Sequence, residues 1–160
     1  MTAARLHSIN LSDGGVPKLR RETCLVRRNG LEGDRQRDLE NHSGPERAVS
    51  VYSMELIEAL RAEGHPISPG TIGENLTLAG LSWKDMRPAV RIEVGEVVLE
   101  LASYAAPCRI IEDSFSEHRV ARVSEKVHPG WSRLYARVLK EGTLRVGDRV
   151  RMIPDTADRS

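Results

Sequence analysis

Short apolar runs separated by glycine and proline turns dominate this sequence, and they restrict it to a strand-rich fold. The clearest case is a predicted β-hairpin, in which Val90 to Glu93 and Val97 to Leu101 flank the turn Val94-Gly95-Glu96. Further strands are predicted at Arg5 to Leu11, Glu22 to Arg28, Ala48 to Tyr52, Leu76 to Leu81, Leu134 to Leu139, Leu144 to Val146 and Val150 to Ile153. Many short strands with frequent turns predict a mostly β protein with a few helices, built as a barrel or a folded sheet.

One helix interrupts the strands. Ser53 can cap the helical pattern of Met54 to Glu63, and Gly64 is placed to end it. The polar stretch Glu112 to Val127 is a second candidate helix. Residues 1–160 contain no repeat and no convincing linker, so we expect a single domain with its core at about residues 5–153.

Composition narrows the function. The formal net charge of +1 argues against a nucleic-acid partner, because a dedicated binder carries a clear basic excess. The basic clusters Lys18 to Arg21 and Arg27-Arg28 are interpreted as solvated faces. Cys24 and Cys108, the only cysteines, form neither a disulfide framework nor a zinc-binding pair. No signal-peptide core or membrane-spanning run is present, so a reducing, cytoplasmic location away from membranes is expected.

Cys108 is the main candidate for chemistry. It follows the strand-like run Glu100 to Ala106, and Pro107 fixes its own φ and withdraws a backbone donor, which tends to hold the next residue at a strand end. The positive charge of Arg109 beside the sulfur favours the thiolate, the form that attacks electrophiles and binds soft metals. The alternative is a small buried hydrophobe, which is the commoner state of a lone cysteine.

Two glycine-bearing loops are candidates for a ligand pocket. In His42-Ser43-Gly44-Pro45-Glu46-Arg47, the Gly-Pro step allows close approach of the backbone, and Arg47 can hold a phosphate or carboxylate. In Gly70 to Asn75, backbone N–H groups can cradle an anion beside Glu74 and Asn75. The alternatives are an ordinary tight turn with a surface arginine and a simple hairpin connection.

Standard catalytic motifs of hydrolases, metalloproteases and dinucleotide enzymes do not occur in the sequence. Cys108 and His42 could still form a nucleophile–base pair if the fold brings them together, which leaves a cysteine hydrolase open. A non-catalytic module that holds a small anion or a persulfide is the other alternative.

These stretches, taken in chain order, resemble a MOSC domain, the domain named for the C-terminal part of molybdenum cofactor sulfurase. The resemblance runs through Gly33-Asp34, His42 to Val49, Gly70 to Thr77, Gly80-Leu81, Pro107-Cys108 and Gly147-Asp148 with Val150. It implies a compact, strand-rich MOSC-type β-barrel with a few helices.

The resemblance also implies a pocket that binds molybdenum cofactor (molybdopterin) or carries sulfur. Cys108 would be the molybdenum ligand or the persulfide bearer, and Arg47 could bind the pterin phosphate. The residues that it places around the pocket are His42, Gly44, Arg47, Gly73, Glu74 and Asn75. The family includes reductases of N-hydroxylated compounds, so a redox partner or a cysteine desulfurase is the expected protein partner.

The sequence departs from the family pattern in two places. Members often carry His-His-Gly-Gly-Pro-Asp-Arg, where this chain has Asn41-His42-Ser43-Gly44-Pro45-Glu46-Arg47. Many members also have an arginine shortly before the Pro-Cys step, where this chain has Ala105 and Ala106. The second difference removes one expected contact to an anion.

Overall fold

Residues 3–34 and 45–154, the part of the chain that the computed structural model describes, contain eleven β-strands, one α-helix and five short 3-10 helices. The strands are β1 Arg5–Leu11, β2 Leu19–Arg21, β3 Thr23–Arg27, β4 Gly30–Leu31, β5 Val49–Ser53, β6 Leu76–Ala79, β7 Arg91–Val94, β8 Val97–Tyr104, β9 Leu134–Lys140, β10 Gly142–Arg145 and β11 Val150–Ile153. Helix α1 is Met54–Ala62, and the 3-10 helices are Pro45–Arg47, Trp83–Asp85, Arg109–Ser114, Ser116–His118 and Val120–Val123. The prediction of a mostly β protein is confirmed.

Eight of the described strands form one sheet in the order β11-β7-β8-β9-β5-β6-β1-β2, and β10, β3 and β4 form a second. Strand β5 pairs antiparallel with β9 and parallel with β6, and α1 makes the connection that a parallel pair requires. No closed barrel is found in the strand order of the described residues, so the barrel part of the prediction is not confirmed.

Backbone hydrogen bonds also join the start of β1 to the turn before β11. The Leu6 N–H donates to the Asp148 carbonyl at 2.8 Å, and the Gly147 N–H donates back to the Leu6 carbonyl at 2.8 Å. The Val150 N–H donates to the Ala4 carbonyl at 2.9 Å. The two distant parts of the chain therefore fold against each other.

Strand β5 lies inside the large sheet, between β9 and β6, and all five of its residues are buried. Ser53 ends it and caps α1, since the Ser53 hydroxyl accepts the Leu56 N–H at 3.1 Å. Ile57 and Leu60 are the buried face of α1. After β5 and α1 the chain continues to the segment Gly70–Asn75, which leads directly into β6.

Three sequence interpretations change with the structure. Leu19–Arg21 forms the edge strand β2, although all three side chains are exposed and two of them are charged. Lys18, assigned to a solvated basic cluster, is buried instead. The region 112–127 contains 3-10 turns rather than an α-helix, because Glu117 and His118 adopt left-handed φ values of 56° that a right-handed helix excludes. In the described ranges no helix is long and apolar enough to span a bilayer.

Candidate functional site

Cys108 lies four residues beyond the end of β8. Its backbone is extended, with φ −142° and ψ 176°, and its carbonyl accepts the Ile111 N–H at 3.2 Å as the 3-10 helix Arg109–Ser114 begins. The residue is partly exposed, and Arg109 beside it is exposed. The sulfur is therefore carried on a connecting segment near the surface rather than sealed inside the core.

Cys24 provides the contrast. It is buried in β3, and its Sγ lies 3.4 Å from each of the carbonyl oxygens of Leu25 and Glu32. Burial, with a smaller contribution from the Asp34 carboxylate, raises the pKa of the Cys24 thiol. A buried thiol with a raised pKa is a poor nucleophile and a poor ligand, so Cys108 is the reactive candidate of the two.

Arg133 connects the Cys108 segment to the segment Gly70–Asn75, which we call the glycine loop. The Arg133 side chain is buried, and its Nη1 donates to the Ile72 carbonyl of the loop at 2.9 Å. Its Nη2 donates to the Ala106 carbonyl, two residues before Cys108, at 3.3 Å. One guanidinium therefore fixes the loop and the approach to the cysteine relative to each other.

A second contact holds the loop on the other side of Cys108. The Ser114 hydroxyl, at the end of the 3-10 helix that follows the cysteine, donates to the Thr71 carbonyl at 3.2 Å. The glycine loop thus contacts the chain both before and after Cys108. The structure brings together the two stretches that sequence analysis singled out separately.

The backbone at positions 70 and 73 requires glycine. Their φ values are +87° and +83°, which L side chains rarely adopt. A Cβ on Gly70 would lie 2.3 Å from the Lys18 carbonyl oxygen, and one on Gly73 would lie 3.3 Å from Val16 Cγ1. The segment that carries Val16 and Lys18 therefore packs directly on the loop.

Glu74 points into the protein. It is fully buried, its Oε1 accepts the Gly70 N–H at 3.1 Å, and its Oε2 accepts the Thr77 hydroxyl at 2.9 Å. Burial raises the pKa of the Glu74 carboxyl to about 7. The carboxyl thus closes the loop from inside, and its predicted contact with a cofactor stays a prediction.

Asn75 joins the loop to two strands. Its Oδ1 accepts the Ser50 N–H of β5 at 3.0 Å, and its Nδ2 donates to the Asn10 carbonyl of β1 at 3.3 Å. The same Nδ2 donates to Asp34 Oδ2 at 2.9 Å. Asn75 therefore acts on the site through the position of the loop, and a direct ligand contact stays a prediction.

Asp34 forms a buried ion pair with Lys18 beside the loop. Lys18 Nζ lies 2.7 Å from Oδ1 and 2.9 Å from Oδ2 of Asp34, and the two side chains are only 7% and 6% exposed. Asp34 Oδ1 also accepts the Ser12 N–H at 2.9 Å. The pair and its donors lock the glycine loop against residues 12–18.

Arg47 lies at the end of the 3-10 helix Pro45–Arg47, two residues before β5 begins. Its guanidinium carbon stands 5.4 Å from the centre of the Tyr135 ring, which is within range of a cation–π contact. Tyr135 in turn pairs across the sheet with Ser50 of β5. His42 and Gly44 lie outside the described residues.

Arg133 and Lys18 were not predicted as site residues. Arg133 stands immediately before the apolar run Leu134 to Leu139, and an isolated basic residue at the start of a buried strand is the signal that could have marked it. Lys18 could not be distinguished from its basic neighbours Arg20 and Arg21, because local sequence does not show which basic residue pairs with a buried carboxylate.

The raised pKa of Glu74 predicts a pH-dependent stability. The carboxyl binds its proton more tightly in the folded protein than at its ordinary pKa of 4.5, so the stabilisation is complete in acid and is lost as the pH rises through about 7. We expect urea unfolding to show a loss of about 2 kcal/mol between about pH 5 and pH 7.5. Glu74→Gln should flatten this profile, and an equally steep profile in the variant would contradict the assignment.

The MOSC domain family model matches residues 38–151 of the chain, a stretch that includes the glycine loop, Cys108 and Arg133. The uncharacterized protein YflK of Bacillus subtilis is 29% identical over 145 residues, which cover 89% of this chain and 64% of that protein. The chain therefore spans less than two thirds of the length of this curated relative.

Two crystal structures share the fold. YiiM from Geobacillus stearothermophilus aligns with a TM-score of 0.73 at 21% identity, covering 94% of this chain and 75% of that one. The YUAD protein from Bacillus subtilis aligns with a TM-score of 0.73 at 16% identity, covering 93% and 94%. Since the family model extends over most of the chain and includes the glycine loop, Cys108 and Arg133, this protein belongs to the MOSC domain family.

Proposed function

We propose that this protein binds molybdenum cofactor, with Cys108 as the protein ligand of the metal. The observation that carries the proposal is the placement of a partly exposed cysteine beside the glycine loop by Arg133 and Ser114. Contacts on both sides of the cysteine define the position of its backbone, and a metal ligand requires a defined position.

The donor set fits this cofactor. A thiolate is a soft ligand of the kind that suits a metal bound mainly by sulfur. Within residues 3–34 and 45–154, no three His, Cys, Asp or Glu side chains lie together as a metal site, so the protein's contribution would be one thiolate rather than a chelating cluster. The remaining affinity would then come from contacts to the pterin part, for which Arg47 is the candidate phosphate ligand.

The residues divide into two roles under this proposal. Cys108 and Arg47 contact the cofactor, together with the predicted contacts of His42, Gly44 and Gly73. Glu74 and Asn75 hold the glycine loop, so their first effect is on its shape. When bound, the cofactor would supply two-electron redox chemistry.

The activity that follows is reduction of an N-hydroxylated compound. In such a reaction the N–O bond breaks, the substrate takes up two electrons and two protons, and the oxygen leaves as water. A separate redox protein would supply the electrons, because no pair of described cysteines is placed to store them: Cys24 is buried, and Cys108 would be occupied as the metal ligand.

Sulfur carriage is a second candidate function. Among the described residues, none donates or accepts a hydrogen bond at the Cys108 sulfur, and the residue is partly exposed, so a partner protein could reach it. The Cys108 thiolate would attack the terminal sulfur of a cysteine desulfurase persulfide. A new S–S bond would form at Cys108, and the donor cysteine would leave as its thiolate.

Metal analysis tests the first function. Wild-type protein, Cys108→Ala and the matched control Cys24→Ala should be produced in a host that makes the cofactor, and molybdenum should be measured per protein chain. We expect the metal in wild type and in Cys24→Ala, and at least about a tenfold loss in Cys108→Ala, because its metal ligand is gone. Equal molybdenum content in all three proteins would refute the ligand role.

Mass spectrometry distinguishes the second function. After incubation with a cysteine desulfurase and free cysteine, a carrier should gain one sulfur atom on the peptide that contains Cys108 and none on the peptide that contains Cys24. Sulfur gain in protein that retains no molybdenum would favour carriage over cofactor binding. An unmodified Cys108 would remove the carrier function.

A further inference from the structure

A cleft of about 220 Å³ opens where the turn around Trp83–Asp85 meets the end of β8 and the start of β9. Its floor is apolar: the buried side chains of Trp83, Met86 and Leu134 line it. Tyr104, the last residue of β8, also lines it and is 36% exposed, although it is a large aromatic side chain. The cleft therefore offers an aromatic wall and an apolar floor that are open to solvent.

Two contacts of Trp83 hold the floor in place. The Trp83 indole N–H donates to the Ser132 carbonyl at 2.8 Å. The Trp83 ring also stands edge-on to Tyr52, with 5.8 Å between ring centres. Because the hydrogen bond and the contact with Tyr52 already fix the indole, Trp83 need not change its position to receive a ligand. Such pre-organisation favours binding.

Positive charge predominates around the cleft. Two exposed basic residues, Lys84 and Arg87, line it. They are accompanied by one acidic lining residue, Glu125. Glu125 already has a partner, since its Oε1 accepts the Gly130 N–H at 3.0 Å. Two cations and one carboxylate thus line the cleft, and the carboxylate already accepts a backbone hydrogen bond.

The hydroxyl of Tyr104 lies among these charges. Partial burial raises the pKa of the phenol, the Glu125 carboxylate raises it further, and Arg87 acts in the opposite direction. Glu125 and Arg87 are therefore both close enough to Tyr104 for their charges to act on it. The ring of Tyr104 and the cation of Arg87 therefore belong to one site.

We propose that this cleft is a binding site for a small aromatic carboxylate, whose ring lies on the floor of Trp83 and Met86 and whose carboxylate faces Lys84 and Arg87. The size supports one ring with a short substituent, because pockets for drug-sized ligands measure roughly 300–1,000 Å³. The charge supports a carboxylate, because an anion complements the excess of cations, whereas a second cation would be repelled.

This site is separate from Cys108. Ser132 and Leu134 line the cleft, while the side chain of Arg133 between them turns to the carbonyls of Ile72 and Ala106. Successive residues of an extended chain point to opposite sides. The cleft and the Arg133 side chain that supports the cysteine site therefore lie on opposite sides of the start of β9, so we expect the cleft to bind its ligand without the cofactor.

Benzoate is the probe, and the neutral amide benzamide is its matched control. In 1H–15N spectra we expect benzoate at roughly millimolar concentration to shift the Trp83 indole and Gly130 amide signals in a saturable way. Benzamide should bind about tenfold more weakly, because it lacks the charge that the two cations attract. Cys108→Ala should bind benzoate as wild type does.

Two variants separate the charge from the ring contact. Arg87→Gln should weaken benzoate about threefold to fivefold and leave benzamide unchanged. Tyr104→Ala should weaken both probes, because the aromatic wall is lost. Equal affinity for benzoate and benzamide, benzoate binding that Arg87→Gln does not change, or an absence of shifts at Trp83 and Gly130 would each overturn the proposal.

Discussion

Replacing Asp34 with alanine is expected to lower the free energy of unfolding by about 3–5 kcal/mol. The substitution leaves the buried Lys18 ammonium without its counter-charge, and the Ser12 N–H and one Asn75 Nδ2 donor each lose an acceptor. An uncompensated buried charge costs far more than the loss of a surface ion pair. Urea unfolding at neutral pH measures the change.

The matched control removes both charges together. Lys18→Met with Asp34→Leu replaces the pair by apolar side chains of similar volume, so the double variant should recover much of the stability that Asp34→Ala loses. Arg27 and Glu32 form an exposed ion pair at 3.2 Å, and breaking that pair should change stability little. A loss of less than about 1 kcal/mol in Asp34→Ala would show that the ion pair is solvated.

Arg133→Met is expected to lower the free energy of unfolding by about 3 kcal/mol and to loosen the candidate site. Methionine keeps an apolar stem but provides no donor to the carbonyls of Ile72 and Ala106. The buried Ile72 segment cannot replace the lost donor by water without local opening. Chemical denaturation gives the stability, and the alkylation rate of Cys108 reports on the site.

Arg119→Met is the control for this variant, because Arg119 is exposed and pairs with the exposed Glu117. It should leave stability nearly unchanged, whereas Arg133→Met should change both the stability and the alkylation rate of Cys108 under native conditions. A purely structural role for Arg133, remote from the cysteine, would lower stability and leave the native alkylation rate unchanged.

Local pattern was sufficient for most strands and for α1. Arg5–Leu11 and the hairpin of β7 and β8 were predicted because their alternation and turn residues are local properties. The Ser53 cap was likewise predicted from one residue and its neighbours, and its hydrogen bond to Leu56 confirms it. Edge strand β2 was missed because its three exposed residues, two of them arginines, carry no such pattern and pair only with β1.

The main residues of the candidate site could be predicted from the sequence, but the hydrogen bonds that join them could not. Cys108 and the glycine loop were recognised from local chemistry and from the family resemblance. The bonds that join them depend on Arg133, which is about 60 residues from Ile72 in the chain. A sequence shows which residue types are present, but a buried donor chooses its acceptor only when distant strands have paired.

The hydrogen bonds between residues 4–6 and residues 147–150 bear on how the chain reaches this structure. These contacts join segments separated by almost the whole described sequence, so the loop that must close before they form is the longest available. Closing this loop costs chain entropy, and other contacts offset that cost only after the intervening strands have paired. A chain emerging from a ribosome would therefore keep β1 without this partner until β11 has been made, and the edge of β1 would be the surface that a chaperone or a second chain could meet first.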